Sequence, residues 1–192
     1  MGEPITDGYP VVLRLAGQRV LVVGGGTVAA RKVAGLAAAG AVVTVVAPSV
    51  DAAIHAMPGV TIERRPYRAG DLAGHRLVIA ATDEPAVQQQ VFDDAKATGV
   101  WVNSADDPER CTFILPAVER RGPVIVAVST QGTSPALAGH LRDLLAAALP
   151  ANIESVAAEL AEQRRTIQAS GGSTEDHDWK EKIVEVFERF AG

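Results

Sequence analysis

Arg19-Val20-Leu21-Val22-Val23 is a short Val-rich run that breaks into Gly24-Gly25-Gly26 and then into Thr27-Val28-Ala29-Ala30-Arg31-Lys32. A strand, a glycine turn and a helix start in immediate succession leave a chain little choice of local fold. The pattern predicts a turn that cradles a pyrophosphate. Gly24 permits the tight turn, Gly26 lets backbone approach phosphate, and Ala29 allows the helix to pack closely on the strand. The helix N-terminus offers unpaired N–H groups and the positive end of its dipole to an anion. Gly24, Gly25, Gly26, Thr27 and Val28 are therefore the first candidate cofactor residues.

The pattern that follows repeats the same grammar. A helix over Thr27–Ala39 ends at Gly40, and Ala41–Val46 reads as a second strand stopped by Pro48. Val60–Arg64 is a third strand after Pro58-Gly59, and Leu77–Ala81 a fourth. Pro85 opens a helix through Ala97, Gly99 ends it, and Val100–Val102 begins a fifth strand, with Trp101 in the core. Alternating strands and helices of this size predict an α/β class, a Rossmann-type parallel sheet covered on both faces. Beyond Asp107-Pro108 the pattern changes. Thr112–Leu115 and Val124–Ser129 read as strands joined by a charged turn, Glu119-Arg120-Arg121-Gly122-Pro123. Thr133-Ser134-Pro135 caps a helix that closes at Pro150. Ile153–Ile167 and Asp178–Phe190 follow as amphipathic helices. The expected organisation is a Rossmann domain over 1–112, a strand-helix module over 113–150 and a helical region over 151–192.

Composition narrows the function. Of 192 residues 47% are hydrophobic, yet no apolar run approaches the ~20 residues of a membrane span. Met1–Pro10 shows neither a basic n-region nor an apolar h-region, so no secretory leader is read and the cytoplasm is the expected location. A net charge of −5 speaks against nucleic acid as a partner. The lone Cys111 rules out an intrachain disulfide or a cysteine zinc cage and reads as packing rather than as a nucleophile. His55, His75, His140 and His177 are scattered without metal-ligand spacing, so no metal site is expected.

One departure from the usual pattern concerns the ribose. An acid is expected at the end of strand two, roughly 20 residues past the glycines. That place holds Val46-Ala47-Pro48-Ser49, with Asp51 beyond, and no Arg stands in to hold a 2′-phosphate. Spacing alone leaves NAD and NADP open. Thr82 and Asp83, just past strand four, fall at the carboxyl edge of the sheet, where such folds bind ligands. Thr82 equally suits a helix cap before Pro85.

Five ordered blocks now carry a resemblance: the glycine segment to Lys32, Ala80-Ala81-Thr82-Asp83, Val102-Asn103-Ser104-Ala105-Asp106, Phe113-Ile114-Leu115-Pro116-Ala117 and Val128-Ser129-Thr130-Gln131-Gly132-Thr133-Ser134-Pro135. From about Tyr9 to Pro150 the chain resembles the siroheme synthase N-terminal family, the precorrin-2 dehydrogenases, in the stand-alone form without the methyltransferase domain. The resemblance implies NAD-dependent oxidation of precorrin-2 to sirohydrochlorin, and in bifunctional members ferrochelatase insertion of Fe²⁺ (or Co²⁺). It implies NAD rather than NADP, a tetrapyrrole substrate, and a homodimer built on the strand-helix module. Pro48 and Ser49 fall at the adenosine end of the cofactor site.

Asp106, three places after Asn103, matches the family's active-site aspartate, a carboxylate suited to taking the proton released as hydride leaves. Its neighbour Asp107 is one position away, and the same composition suits a plain turn after a strand. Asn103, Ser129, Thr130, Gly132 and Thr133 are the candidate substrate contacts, the loop groups being suited to the carboxylates of an anionic macrocycle. A helix start without a ligand has the same composition. Arg110, Arg120, Arg121 and Arg142 are candidate counter-charges. The alternative function is a non-catalytic NAD(H)-sensing module. A ketone or alcohol reductase is disfavoured because neither Tyr9 nor Tyr67 is followed by Lys four places on.

Overall fold

In the computed structural model, which describes residues 8–190, β1 (Arg19–Val23) is a strand buried on both faces: Val20, Leu21, Val22 and Val23 are all at most 3% exposed. A continuous Val/Leu run without polar alternation requires that two-sided cover, and parallel packing supplies it. The Met1–Pro10 stretch read for a leader lies mostly outside the described residues.

Around β1 the chain lays down β2 (Val42–Val46), β3 (Thr61–Glu63), β4 (Leu77–Ala80) and β5 (Trp101–Ser104), all parallel, in the order β3-β2-β1-β4-β5. The order reverses between β1 and β4, and there the fold opens a crevice at the carboxyl ends of the strands. Helix α1 (Thr27–Ala38) covers one face, burying Ala29, Ala30, Val33 and Leu36 against Val20, Val22, Val43, Val45, Leu77 and Ile79. Helix α3 (Pro85–Thr98) covers the other, setting Val91 and Ala95 on Leu21, Val23, Val78, Ala80 and Val102. Gly99 ends α3 in the left-handed conformation, φ 71°.

The fold class and these five strands stand as the sequence predicts, with ends shifted by a residue or two. A four-residue helix, α2 (Ala52–His55), was not legible; the Asp51 carboxylate caps it by accepting from the Ala53 N–H at 2.8 Å. Trp101 is a correction. It is 48% exposed rather than in the core, because β5 is an edge strand and Trp101 opens it.

By its internal contacts the chain divides into two units, one ending at Leu115 and one beginning at Pro116. The second holds an antiparallel hairpin, β6 (Ala117–Arg121) and β7 (Val124–Val128), with α4 (Pro135–Ala148), α5 (Ile153–Ala169) and α6 (Trp179–Arg189). The hairpin also corrects the sequence reading. Thr112–Leu115 is not a strand: Thr112 bonds to the edge of β5 instead, its N–H donating to the Val102 carbonyl at 2.8 Å. Glu119-Arg120-Arg121 lies inside β6, and the turn is only Gly122-Pro123. Gly122 has φ 54°, so glycine at the first central position makes the two-residue turn that matches strand twist. Ser134 caps α4 and Pro135 opens it, as expected. No single helix among the described residues is long and apolar enough to cross a membrane.

Candidate active site

The three glycines after β1 do three different jobs. Gly24 has φ 116°, and a Cβ there would lie 2.2 Å from the Ala81 carbonyl oxygen after β4. A Cβ on Gly25 would lie 2.1 Å from the Ser49 carbonyl oxygen after β2. Bare backbone at these two positions lets the turn nest between its neighbouring loops, which the Gly24 N–H bond to Val46 O at 3.0 Å and the Asp51 N–H bond to Gly25 O at 2.7 Å fasten. Gly26 is unlike both: it is exposed, and a Cβ there would meet nothing within 4 Å.

That open space lies in front of the N-terminus of α1, which has no side-chain cap and no acid in its first turn. Exposed Thr27 and half-buried Val28 begin the helix, and the first intrahelical bond there is Ala30 N–H to Gly26 O at 3.0 Å. The preceding N–H groups are thus left to a ligand, and the site fits a pyrophosphate. Pro48 and Ser49 are exposed at the same edge after β2. Asp51, the nearest acid to the ribose position, is occupied as the cap of α2. Thr82 accepts from the Glu84 N–H at 3.3 Å and its carbonyl receives the Gln88 amide at 2.5 Å, so it does tie the start of α3; Asp83 beside it is exposed.

The loop after β5 completes the edge. Asp106 is exposed and holds φ 61°, a left-handed conformation uncommon outside glycine and tolerated by Asp and Asn. Beneath it Cys111 is half-buried, and its sulfur accepts from the Ser104 N–H at 3.2 Å and the Asn103 amide at 3.4 Å. The thiol faces the Asp107 carbonyl at 3.2 Å. Burial pushes the Cys111 thiol up and the Asp107 charge adds to this, while the Ser104 N–H and Lys32 oppose it. Asn103, 7% exposed, also donates to the Phe113 carbonyl at 3.0 Å, so its amide fastens the chain on either side of the loop. Asp107 ion-pairs with Arg110, which also donates to Gln89 at 2.7 Å. Asp106 makes no ion pair among the described residues, which separates it from its neighbour.

Lys32 was not singled out by the sequence reading. It sits half-buried on α1 with its charge in electrostatic reach of Asp106 and Cys111. Burial lowers its pKa and Arg31 adds to this, while Asp106 and Cys111 pull it back up. A half-buried lysine one turn from a glycine cradle has no signature in one sequence.

The structure thus gathers Gly24, Gly25, Gly26, Thr27, Val28, Pro48, Ser49, Thr82, Asp83 and Asp106 at one carboxyl edge, with Asn103 buried beneath it. Ser129, Thr130, Gly132 and Thr133 belong to the second unit, in the loop between β7 and α4. Their hydroxyls serve the loop itself: Thr130 Oγ1 donates to Ser134 O at 2.9 Å, Thr133 Oγ1 donates to Thr130 O at 2.6 Å, and Ser129 Oγ accepts from Gln131 N–H at 3.1 Å. Of the candidate counter-charges, Arg110, Arg121 and Arg142 are engaged with Asp107, Glu119 and Asp143. A cavity of about 190 Å³ lined by Arg19, Thr44, Arg65, Asp71 and His75 shares no residue with the carboxyl-edge loops.

Comparison with known proteins agrees with this geometry. Residues 11–117 match the family described as "Putative NAD(P)-binding". A siroheme synthase of Pseudomonas putida is 45% identical over 166 residues, covering 85% of this chain and 36% of the relative. The siroheme synthase of Methylococcus capsulatus is 41% identical, covering 84% of this chain and 35% of the relative. The chain therefore spans about a third of the length of these curated relatives. A solved structure of SirC, precorrin-2 dehydrogenase, superposes with a TM-score of 0.77 at 32% identity, covering 93% of this chain and 89% of that one. By sequence and by fold, this chain belongs to the NAD(P)-binding family that joins precorrin-2 dehydrogenase to the N-terminal part of siroheme synthases.

Proposed function

We propose that this protein oxidises precorrin-2 to sirohydrochlorin with NAD⁺ as the hydride acceptor. The observation that carries the reading is the pairing, at one sheet edge, of an open phosphate cradle at Gly26 with an unpaired carboxylate at Asp106. Likeness to SirC over most of both chains supplies the substrate.

The backbone N–H groups at the start of α1 hold the dinucleotide's pyrophosphate, with Thr27 and Val28 flanking it. Pro48 and Ser49 border the adenosine end, and Thr82 and Asp83 line the way from β4. NAD⁺, when bound, supplies the two-electron acceptor. Loss of hydride from a C–H bond of precorrin-2 requires loss of a proton as well, and the Asp106 carboxylate takes it. A base at the exposed tip of a pinned left-handed turn presents its oxygens outward, toward a substrate too large to be enclosed. The Ser129–Thr133 loop of the second unit carries hydroxyl and backbone N–H groups suited to carboxylates such as those of the macrocycle.

The protein acts in the cytoplasm as a homodimer. Support for the dimer comes from α4, whose Leu137, Leu141, Leu144 and Leu145 are between 37% and 55% exposed along one helix. An unpartnered leucine stripe of this kind marks an interaction surface.

The test is anaerobic incubation of purified protein with enzymatically generated precorrin-2 and NAD⁺, without metal, while the visible spectrum and NADH are followed. Conversion to sirohydrochlorin with matching NADH is the expected result. Fe²⁺ or Co²⁺ added afterwards reads whether the same protein also inserts metal. Nucleotide binding without any turnover would replace this reading with the NAD(H)-sensing module.

A further inference from the structure

We infer that Lys32 is a second functional group of the carboxyl-edge site, a cation that holds a carboxylate of the tetrapyrrole substrate beside Asp106. The inference rests on the precorrin-2 reading above and assigns a specificity-determining residue to it.

Three observations on the first unit carry it. Lys32 lies five residues past Thr27, so its Cα is about 7.5 Å further down the helix axis, at 1.5 Å per residue, than the first-turn N–H groups that meet a pyrophosphate. Its Cα–Cβ bond tilts toward the N-terminus of α1, which starts at the carboxyl edge of β1, so the amine reaches back toward that edge from below. Its electrostatic neighbours are Arg31, next to it in sequence, and Asp106 and Cys111, on the loop after β5.

Second, the side chain is half-buried yet makes no hydrogen bond or ion pair among the described residues. An ammonium withdrawn from water is costly unless something negative answers it. Burial lowers the Lys32 pKa, so withdrawal from water reaches the amine and is not confined to the side-chain stem. Third, the charges nearest Asp106 in the loop are already committed to each other: Asp107 is paired with Arg110, and Arg110 is further tied to Gln89. What remains is a half-buried cation without a committed partner and, within its electrostatic reach, the Asp106 carboxylate, which makes no ion pair among the described residues. Precorrin-2 carries acetate and propionate groups around a ring that must lose a proton to Asp106. A carboxylate anchored on Lys32 places ring atoms next to that base, and the ammonium keeps the two anions from repelling one another.

The experiment compares wild type, Lys32→Met and Lys32→Arg by three readouts: fluorescence-detected affinity for sirohydrochlorin without nucleotide, affinity for NAD⁺, and KM and kcat for precorrin-2. Lys32→Met is expected to weaken sirohydrochlorin binding and raise KM by about tenfold, the equivalent of one charge-assisted contact. NAD⁺ affinity stays within about twofold and shows that the variant is folded. Lys32→Arg, which keeps the charge, recovers most of the loss, and the gap between Met and wild type narrows as salt rises. Unchanged sirohydrochlorin affinity and KM in Lys32→Met overturns the inference, and so does a loss confined to NAD⁺. A wild-type protein that neither binds sirohydrochlorin nor oxidises precorrin-2 overturns the functional reading and this assignment with it.

Discussion

The Cys111 sulfur receives the backbone N–H of Ser104 at 3.2 Å, joining the end of β5 to the chain beyond the Asp106 turn. That one atom also accepts from Asn103 and faces the Asp107 carbonyl, so it closes the loop in which Asp106 adopts its left-handed conformation. The thiol is a fastener, as the lone cysteine's expected packing role implied. Cys111→Ala leaves the Ser104 N–H without its acceptor in a 3% exposed position. The expected cost is about 1–2 kcal/mol, read from urea unfolding. Because burial holds the thiol up, little thiolate exists near neutrality, and Ellman's reagent should label folded protein far more slowly than unfolded protein.

Asp106→Asn is the clean test of the proton acceptor. Asn tolerates φ 61° about as well as Asp, so stability should change by less than about 0.5 kcal/mol and NAD⁺ affinity should hold. Precorrin-2 oxidation should fall by about 100-fold or more, the typical worth of a positioned base. Asp106→Ala would add about 1 kcal/mol of left-handed strain and blur the comparison. Full turnover in Asp106→Asn would remove Asp106 from the chemistry.

Most of the first unit was legible because its signals are local and agree with one another. Val-rich runs, Gly24-Gly25-Gly26, Pro85 and Gly99 each state where an element begins or ends, and the parallel order follows from the alternation. The hairpin was misread because Thr112 and Phe113 have strand composition but spend it on the edge of β5. Its charged residues Glu119-Arg120-Arg121 have turn composition, yet no residue of β6 is fully buried, so both faces of the strand accept charge. Trp101 misled in the opposite way, since side-chain type says nothing about whether a strand is central or edge. Within the site, turn, cap and strand-end signals point to loop residues, while Lys32, which ends the first motif block, carries no signal of its own. Lys32 is brought within electrostatic reach of Asp106 across 74 positions of sequence, a relation no spacing rule contains.

Arg65 meets Asp71 through two nitrogens, at 2.7 and 2.9 Å, and also holds Glu63. For Asp71, burial favours the protonated acid, but the Arg65 bonds, the Arg68 N–H and the two arginine charges outweigh it and hold the pKa below its ordinary value. A carboxylate depressed in the folded state stabilises above its unfolded pKa of about 3.9, and that stability drains away as pH falls through the folded value. Asp71→Asn should therefore cost about 1–3 kcal/mol at pH 7, with the difference from wild type shrinking below about pH 4. Chemical denaturation at both pH values checks it, and an equal deficit at pH 3 would show packing rather than charge at work.

The dimer reading makes α4 the element to disrupt. Leu141 and Leu144 are 37% and 55% exposed, so replacing both with Asp buries no charge within one copy of the chain. Light scattering should find twice the chain mass for wild type and the single-chain mass for the double variant, with the far-UV spectrum unchanged. A wild-type monomer at micromolar concentration would remove the dimer.

Gly24 and Gly26 separate the turn's structural work from its binding work. A methyl group at Gly24 would overlap the Ala81 carbonyl at 2.2 Å in a backbone with φ 116°, and neither side can yield without moving a strand end. Gly24→Ala should lose about 3 kcal/mol or more, or fail to accumulate as folded protein. At Gly26 the same methyl enters open space with φ −81°, a conformation open to any residue. Gly26→Ala should therefore fold with a loss below about 1 kcal/mol. It should nevertheless bind NAD⁺ at least about tenfold more weakly, because the methyl stands where the pyrophosphate approaches the helix N-terminus. Calorimetric titration of NAD⁺ into the folded Gly26→Ala protein decides the point: undiminished affinity would mean that the space in front of Gly26 is not the phosphate cradle.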